Sequence, residues 1–254
     1  MWKKPADFIS DLQVTKFSFR NFQVVENKPR VDVFYEDKKS VTFNLCSDAD
    51  SPVHAPYGLD SVPPNSDGSR RTLLVNVSDP EVIRVFTELD DFVVASALAN
   101  SKEWFKKSIT EDEVRVRYKP LIKRNENGDD SYAMKFKIKC IKYPTRLHLK
   151  LPNGDVVRNG ATTEHIGRGS LVAPVLTIFN MWFMNKEFGL GVQAEEIIIT
   201  PSTSAPVLPM FNFKRPVTIL DKDDVNDYEF PESKVQKTTP EITNDPNIHL
   251  VDDA

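Results

Sequence analysis

The side chains that could carry out catalysis or bind a metal are scattered along this chain. Its four histidines, at positions 54, 148, 165 and 249, show no metal-ligand spacing between any two of them. The stretch from Gly167 to Ser170 is glycine-rich but lacks the Gly-Lys-Ser/Thr end that a phosphate-binding loop requires. The acidic run from Asp221 to Asp227 departs from the calcium-loop pattern at Val225, and no central glycine follows. The sequence therefore predicts a non-enzymatic protein with no catalytic residue, no metal site and no cofactor.

Cationic side chains, in contrast, are concentrated in one region that is rich in strand patterns. Residues 100–170 hold 16 Lys/Arg against nine Asp/Glu, although the whole chain has a formal net charge of -4. Between Met134 and Cys140, lysines alternate with apolar residues, which places Lys135, Lys137 and Lys139 on one face of a strand. The same alternation from Val114 to Tyr118 predicts a second strand with two outward arginines. An Asn-Gly turn signal between the two predicts a hairpin, whose outer face would carry five cations.

Further cations and three tyrosines lie beside these predicted strands. The candidate site consists of Arg115, Arg117, Tyr118, Lys119, Lys123, Arg124, Tyr132, Lys135, Lys137, Lys139, Lys142, Tyr143 and Arg146. A cationic face attracts nucleic-acid phosphates through counterion release, and unpaired bases stack on exposed rings. Outward lysines also serve solubility and edge protection, but a solvated face normally mixes charge signs. Trp104 and Trp182 fit either a core position or a stacking position.

The elements that position these residues are mainly strands. Strand patterns cover residues 13–25, 31–46, 171–184 and 192–200, with shorter ones at 71–77, 147–151 and 156–157. A long surface loop is predicted over 47–71, and a turn over 187–191. One helix is predicted from Pro80 to about Lys107, capped by Asp79, with Asp90 and Asp91 marking a bend or break.

The C-terminal part of the chain has a different composition. Prolines punctuate residues 201–220, and residues 221–254 carry ten Asp/Glu against three lysines with almost no periodicity. This composition predicts a folded domain over 1–200, a Pro-rich linker over 201–220 and a disordered acidic tail over 221–254.

Sequence features that report on compartment are few. Cys46 and Cys140 match no metal spacing, and Cys140 occupies an inward strand position, which favours a reduced, buried thiol. The first residues lack the apolar core of a secretory signal. The longest apolar run, residues 171–184, contains Pro174 and Asn180 and is too short to span a bilayer. We expect a soluble intracellular protein without a membrane partner.

Two segments of the chain resemble a known family, the OB-fold single-stranded-DNA-binding proteins of podophages and nucleocytoplasmic large DNA viruses. The first runs from Phe43-Asn44-Leu45 to Ala55-Pro56-Tyr57-Gly58-Leu59-Asp60, followed by a strand, a helix and basic strands. The second runs from Ser170-Leu171-Val172-Ala173-Pro174 through Trp182-Phe183 to Phe188-Gly189-Leu190. It resembles the family's last strand pair, in which a Trp-Phe strand turns through a Phe-Gly dipeptide.

This resemblance, over about residues 12–200, implies a mainly β fold. We expect a five-stranded OB-type Greek-key barrel with extra strands and the helix packed across one end. It implies binding of single-stranded DNA in viral DNA replication, recombination or repair, at sites of viral DNA replication in host cytoplasm or nucleus. It also implies an acidic tail that competes with DNA and recruits replication proteins; a homodimer is a further candidate assembly. The tail departs from the family pattern because its acids are spread out and it ends in Asp252-Asp253-Ala254.

Two other functions fit the same sequence. A minor virion protein with an extended tail would also be β-rich and proline-rich. An accessory protein of a nuclease or polymerase could dock a DNA duplex on the basic face. Salt-dependent binding of an oligonucleotide separates the first from a DNA-binding protein, and strand preference separates the second.

Overall fold

The structure is a computed structural model that describes residues 7–46, 51–62, 67–125 and 131–202, and all structural statements refer to these ranges. The chain divides into two units, Met1–Pro209 and Met210–Ala254, and every described residue lies in the first. The strands are β1 (Asp7–Phe8), β2 (Phe17–Val25), β3 (Lys28–Tyr35), β4 (Lys38–Lys39), β5 (Val41–Asn44), β6 (Val53–Ala55), β7 (Arg70–Val77), β8 (Tyr118–Lys119), β9 (Ile122–Arg124), β10 (Tyr132–Lys139), β11 (Arg146–Lys150), β12 (Val156–Val157), β13 (Ser170–Met184) and β14 (Glu187–Thr200). The helices are α1 (Pro80–Ala99), α2 (Ser101–Trp104) and α3 (Glu111–Arg117), with short 3-10 turns at Ile9–Asp11, Val14–Lys16 and Thr163–His165.

The long antiparallel hairpin of β13 and β14 is the central strand pair of the sheet. Along one edge of β13, strands β6, β5 and β3 pair in succession. Along the free edge of β14, strands β8, β10 and β11 pair in parallel. The hairpin therefore brings strands from both halves of the domain into one sheet.

Five strands of this sheet form a closed ring. The pairings run from β13 to β6, β7, β10 and β14, and then from β14 back to β13. The prediction of a mainly β protein with one main helix is confirmed.

The hydrophobic core lies on the inner face of these strands. Met134, Phe136 and Ile138 alternate inward along β10 and are buried. Helix α1 packs on this core through a buried stripe that includes Phe86, whose ring centroid lies 6.1 Å from that of Phe43. Alternation therefore leaves the odd-numbered residues of β10 on the outer face.

The start of α1 is confirmed, but its predicted extent is wrong. Asp79 caps the helix by accepting from the backbone N–H of Glu81 at 2.8 Å, and Pro80 takes the first turn. The helix runs unbroken through Asp90 and Asp91, and ends where Asn100 leaves helical geometry. The two acids do not bend it because the Asp90 carboxylate is engaged by the segment after α3 instead.

The predicted turn over 187–191 is also wrong. The chain reverses through Asn185 and Lys186, both with positive φ (53° and 66°), and Phe188 and Gly189 are already paired in β14. Gly189 instead leaves room for Trp182: a Cβ there would lie 3.0 Å from the indole ring. Gly189 therefore marks a position where a ring packs closely on the backbone, and not a turn.

Smaller departures concern loops and thiols. The predicted loop over 47–71 contains strand β6, and the first predicted strand begins only at Phe17. Neither cysteine forms a disulfide; Cys46 is buried, whereas Cys140 is only half-buried, and this partial burial raises the pKa of Cys140. The residues of the Asn-Gly turn, the linker beyond residue 202 and the predicted acidic tail lie outside the described residues. No helix in the described ranges is both long and apolar enough to cross a membrane.

Candidate nucleic-acid interface

The three lysines of β10 stand together on the outer face of the sheet, as predicted. Lys135 and Lys137 are exposed and Lys139 is half-exposed, while the residues between them are buried. We call Lys135, Lys137 and Lys139 the lysine row. Strand alternation spaces these ammonium groups at regular intervals along β10.

Strand β7 adds a cation that the sequence prediction missed. It pairs antiparallel to β10 with Arg70 opposite Lys139 and Thr72 opposite Lys137. The exposed Arg70 guanidinium therefore extends the lysine row on the same face. Partial burial first, and then the positive charge of Arg70, lower the pKa of Lys137. The alternation from Arg70 to Val77 was the signal that could have identified Arg70.

The outer face also carries an acid beside the lysine row. Lys139 Nζ lies 3.7 Å from Glu195 Oε2 on β14, and Gln193 donates to the same carboxylate at 2.7 Å. Lys135 and Lys137 form no ion pair with any residue in the described part of the chain. Lys135 and Lys137 are thus the uncompensated cations of this face, whereas the charge of Arg70 helps to lower the pKa of the nearby Asp67 carboxylate.

Arg115 and Arg117 do not belong to this face, because the predicted strand at 114–118 is helix α3. Thr110 and Glu113 form a reciprocal capping box at its start, with hydrogen bonds of 3.3 and 3.1 Å. Arg115 pairs with Glu111 at 2.9 Å and with Asp91 at 3.2 Å. Arg117 lies 3.9 Å from Glu113 and its guanidinium stands over the Phe105 ring. Both arginines are already partnered away from the lysine row.

Tyr118 and Lys119 also have partners within the protein. Tyr118 is buried and its hydroxyl donates to Asp90 Oδ1 at 2.5 Å; burial first, and then the Asp90 charge, raise its pKa well above the ordinary value. Lys119 is exposed but pairs with Glu187 at 2.7 Å. This segment fastens α3 to α1 and does not present a binding surface.

The predicted hairpin between residues 114–118 and β10 is wrong, and β9 is the strand that pairs with β10 on this side instead. Strand β9 pairs antiparallel with β10, so that Lys123 faces Ala133 and Arg124 faces Tyr132. Lys123 therefore shares the face of the lysine row. Arg124 and Tyr132 lie on the opposite face. There they line a cleft of about 480 Å³ together with Ser78, Pro80, Ile83 and Arg84.

The loop after β10 presents an aromatic ring at the end of the lysine row. Tyr143 is 77% exposed and has a positive φ of 54°. Lys142 Nζ lies 5.8 Å from its ring centroid. Arg146 follows at the start of β11 and pairs with Glu196 at 2.7 Å. Tyr143 and Lys142 are therefore available to a ligand, whereas the charge of Arg146 is compensated.

The two tryptophans left open by the sequence take different positions. Trp104 is buried and packs edge-on against Phe19 and Phe183. Trp182 is half-buried on the outer face of β13, and its Nε1–H donates to the Leu190 carbonyl at 3.3 Å. Across the strand pair it faces Arg30. Trp104 is a core residue, and only Trp182 is placed where it could meet a ligand.

Comparison with known proteins gives distant structural likeness only. No protein-family model matches the chain, and neither does any curated protein sequence. It is similar to the single-stranded DNA-binding protein gp2.5 of bacteriophage T7, with 14% identity over 65% of this chain and 92% of that one, at a TM-score of 0.42. It is also similar to the single-stranded DNA-binding protein of bacteriophage Enc34 in complex with single-stranded DNA, with 9% identity over 73% and 96%, at a TM-score of 0.37. A C-terminal truncation of the Enc34 protein gives 8% identity over the same shares and a TM-score of 0.38. These likenesses are too distant to assign a function.

Proposed function

We propose that this protein binds single-stranded DNA, without strong sequence preference, through the outer face of the ring. The observation that carries the proposal is that Lys135 and Lys137 stand on one exposed surface, with Arg70 on the neighbouring strand, and form no ion pair within the described residues. Phosphates arriving there would relieve the mutual repulsion and release counterions, which favours binding regardless of base sequence.

Aromatic groups beside these cations favour a single strand over a duplex. The Tyr143 ring is almost fully open to solvent at the end of the lysine row, next to Lys142. Bases are free to stack on such a ring only when they are not paired in a duplex, and stacking contributes about 1–3 kcal/mol per base. A ring beside a row of cations is the combination that sequence-tolerant single-strand binders use.

We also propose a fold class, a biological role and a role for the acidic segment. The five-stranded ring is interpreted as an OB-type barrel, a fold that exposes one strand face to oligonucleotides. The binding would serve replication, recombination or repair of viral DNA inside the host cell, without catalysis by this chain. The acidic segment 221–254 would compete with DNA for the cationic face and contact replication proteins.

A fluorescence-anisotropy titration tests the proposal directly. Labelled single strands of three unrelated sequences, and a duplex of equal length, are titrated between 50 and 200 mM salt. We expect similar affinities for the three strands, weaker binding to the duplex, and a loss of affinity at higher salt with a slope of about 0.7 per phosphate contact. If the duplex binds as tightly as the single strands or more tightly, the accessory-protein alternative is supported. If no DNA binds at any salt concentration, the structural-protein alternative is supported.

A further inference from the structure

A second polar pocket lies on the outer face of the sheet, two strands away from the lysine row. It is found between β3 and β13 and has a volume of about 390 Å³. Its lining consists of Arg30, Asp32, Lys39, Ser40, Phe179 and Asn180. We call it the Arg30 pocket. None of these residues belongs to the candidate site predicted from the sequence.

The pocket contains a buried hydrogen-bond donor without an acceptor. Arg30 Nε is buried, and it is the one buried side-chain nitrogen or oxygen in the described ranges without a hydrogen-bond partner. Burial of an unpaired N–H is unfavourable, so such a group in a folded protein calls for an explanation. A ligand that brings an oxygen acceptor to this nitrogen would supply one.

The charges in the pocket leave one net positive group. Lys39 Nζ lies 2.9 Å from Asp32 Oδ2, and the carboxylate also accepts from Asn21 at 3.4 Å and Gln23 at 3.5 Å. Because Asp32 and Lys39 compensate each other, the Arg30 guanidinium is the remaining charge. A single positive charge matches the single negative charge of a phosphodiester.

Irregular strand pairing builds the pocket. The register between β13 and β14 shifts at Phe179, and the register between β2 and β3 shifts between Arg20 and Gln23. Such bulges change the direction of side chains. On β14, Gly191 leaves space for the Asn180 amide and the Phe179 ring, both of which a Cβ at that position would contact too closely.

An aromatic ring completes the surroundings. Phe179 lines the pocket and is half-buried, so part of it remains in contact with solvent. Trp182 is paired with Arg30 across the two strands, but its indole is held over Gly189 on β14, on the other side of β13, by the hydrogen bond from Nε1 to the Leu190 carbonyl. An aromatic surface beside a guanidinium suits a base attached to a phosphate.

We propose that the Arg30 pocket holds one nucleotide of the bound strand. A phosphate oxygen accepts from Arg30 Nε, Lys39 lies at the rim as a second donor, and the base packs against Phe179. The choice of ligand class rests on the proposed function. The pocket adds a single anchoring point to a surface that otherwise carries a row of charges.

Mononucleotide binding tests the pocket separately from oligonucleotide binding. Deoxyadenosine 5′-monophosphate, deoxyadenosine and inorganic phosphate are titrated into the full chain and followed by calorimetry. We expect saturable binding of the monophosphate that is at least tenfold tighter than that of either fragment. If inorganic phosphate binds as tightly as the monophosphate, the pocket is an anion site that does not recognise the base. If the nucleoside binds as tightly as the monophosphate, the phosphate makes no contact with Arg30. If none of the three binds, the proposal is overturned.

Variants locate the binding. Arg30→Gln should weaken monophosphate binding at least tenfold, whereas Arg168→Gln, at an exposed arginine outside the pocket, should not change it. Asn180→Asp provides a second variant if Arg30→Gln does not fold, because a carboxylate at this position competes with phosphate for the same donors. Unchanged binding of the monophosphate in the folded variants would overturn the proposal that the Arg30 pocket holds a nucleotide. If the wild-type chain binds the mononucleotide through Arg30 but does not bind oligonucleotides, the proposed function is refuted and the nucleotide pocket is not.

Discussion

At the scale of single residues, the members of the lysine row differ in how far neighbouring acids compensate their charge. Glu195 lies close to Lys139, whereas Lys135 and Lys137 have no such neighbour in the described ranges, and Arg70 adds to their repulsion. A surface lysine in an ion pair gains little from a phosphate, because it exchanges one anion for another. Lys135 and Lys137 should therefore contribute more to DNA binding than Lys139.

The triple variant Lys135→Glu, Lys137→Glu and Lys139→Glu should bind every single strand at least tenfold more weakly. Its salt slope should fall by about 2, since each lost phosphate contact removes about 0.7 from the slope. Anisotropy titrations over the same salt range provide the measurement. The matched control changes the exposed lysines Lys38, Lys102 and Lys186 to Glu, with the same change in net charge. Equal losses in both variants would show that overall charge, and not this face, determines binding.

Asp90 is the titratable residue whose burial has the clearest consequence for stability. Its carboxylate lies against α3, accepting from the Tyr118 hydroxyl at 2.5 Å and the Leu121 N–H at 3.0 Å, and burial raises its pKa from 3.8 to about 6. Because the folded-state pKa is the higher one, the folded state binds more protons than the unfolded state between pH 3.8 and 6. The free energy of unfolding from this group therefore falls as pH rises through that window, by at most about 3 kcal/mol.

Asp90→Asn should remove this part of the pH dependence. Urea unfolding at pH 4, 5, 6 and 7 should show the wild type losing stability relative to the variant, with most of the change complete by pH 7. Glu164→Gln, at an exposed acid outside this contact, should keep the wild-type pH slope. Parallel curves for wild type and Asp90→Asn would mean that Asp90 has its ordinary pKa in the folded protein.

At the scale of elements, the accuracy of sequence prediction depended on the length of the periodic pattern. The seven-residue alternation around Phe136 fits only a strand with one buried face, and β10 was predicted to within two residues at each end. The five residues from Val114 to Tyr118 fit a strand or a short helix, and here the capping box at Thr110 determines the outcome. That Ser/Thr-x-x-Glu signal was present in the sequence and outweighs a short alternation.

Thr110→Ala tests this explanation of α3. Loss of the cap should lower the free energy of unfolding by about 1 kcal/mol, since the Glu113 N–H would lose its side-chain acceptor. Urea unfolding measures the change. Ser108→Ala, at an exposed serine just before the helix, should have little effect. If both substitutions are neutral, the capping box does not stabilise this segment in solution.

At the scale of the whole molecule, sites that depend on long-range strand pairing could not be predicted from the sequence. The Arg30 pocket exists because β3 pairs with β13, so that Arg30 meets Trp182 and Asp32 meets Asn180. Local patterns show only that Arg30 alternates with buried residues; they do not give its partners or the register. The lysine row was predictable because one strand carries all of it, whereas Arg70 joins it only through the pairing of β7 with β10.

Charge balance along the chain predicts a role for the acidic segment that lies outside the described residues. Residues 221–254 hold seven more acids than lysines, and residues 100–170 hold seven more cations than acids. A tethered segment acts at an effective concentration in the millimolar range for short linkers, which favours its binding to the cationic face when DNA is absent. Because DNA must then displace it, the chain ending at residue 220 should bind single strands more tightly than the full chain. The gain should be largest at low salt, where screening is weakest.

The comparison is made by anisotropy at several salt concentrations, with a control in which the ten acids of 221–254 are changed to Asn and Gln. This neutralised chain should match the truncated one, because the competition is electrostatic. If truncation tightens binding but neutralisation does not, the segment blocks the surface by its bulk. If neither change alters affinity at any salt, the acidic segment serves solubility, and the cationic face is open to DNA in the full chain.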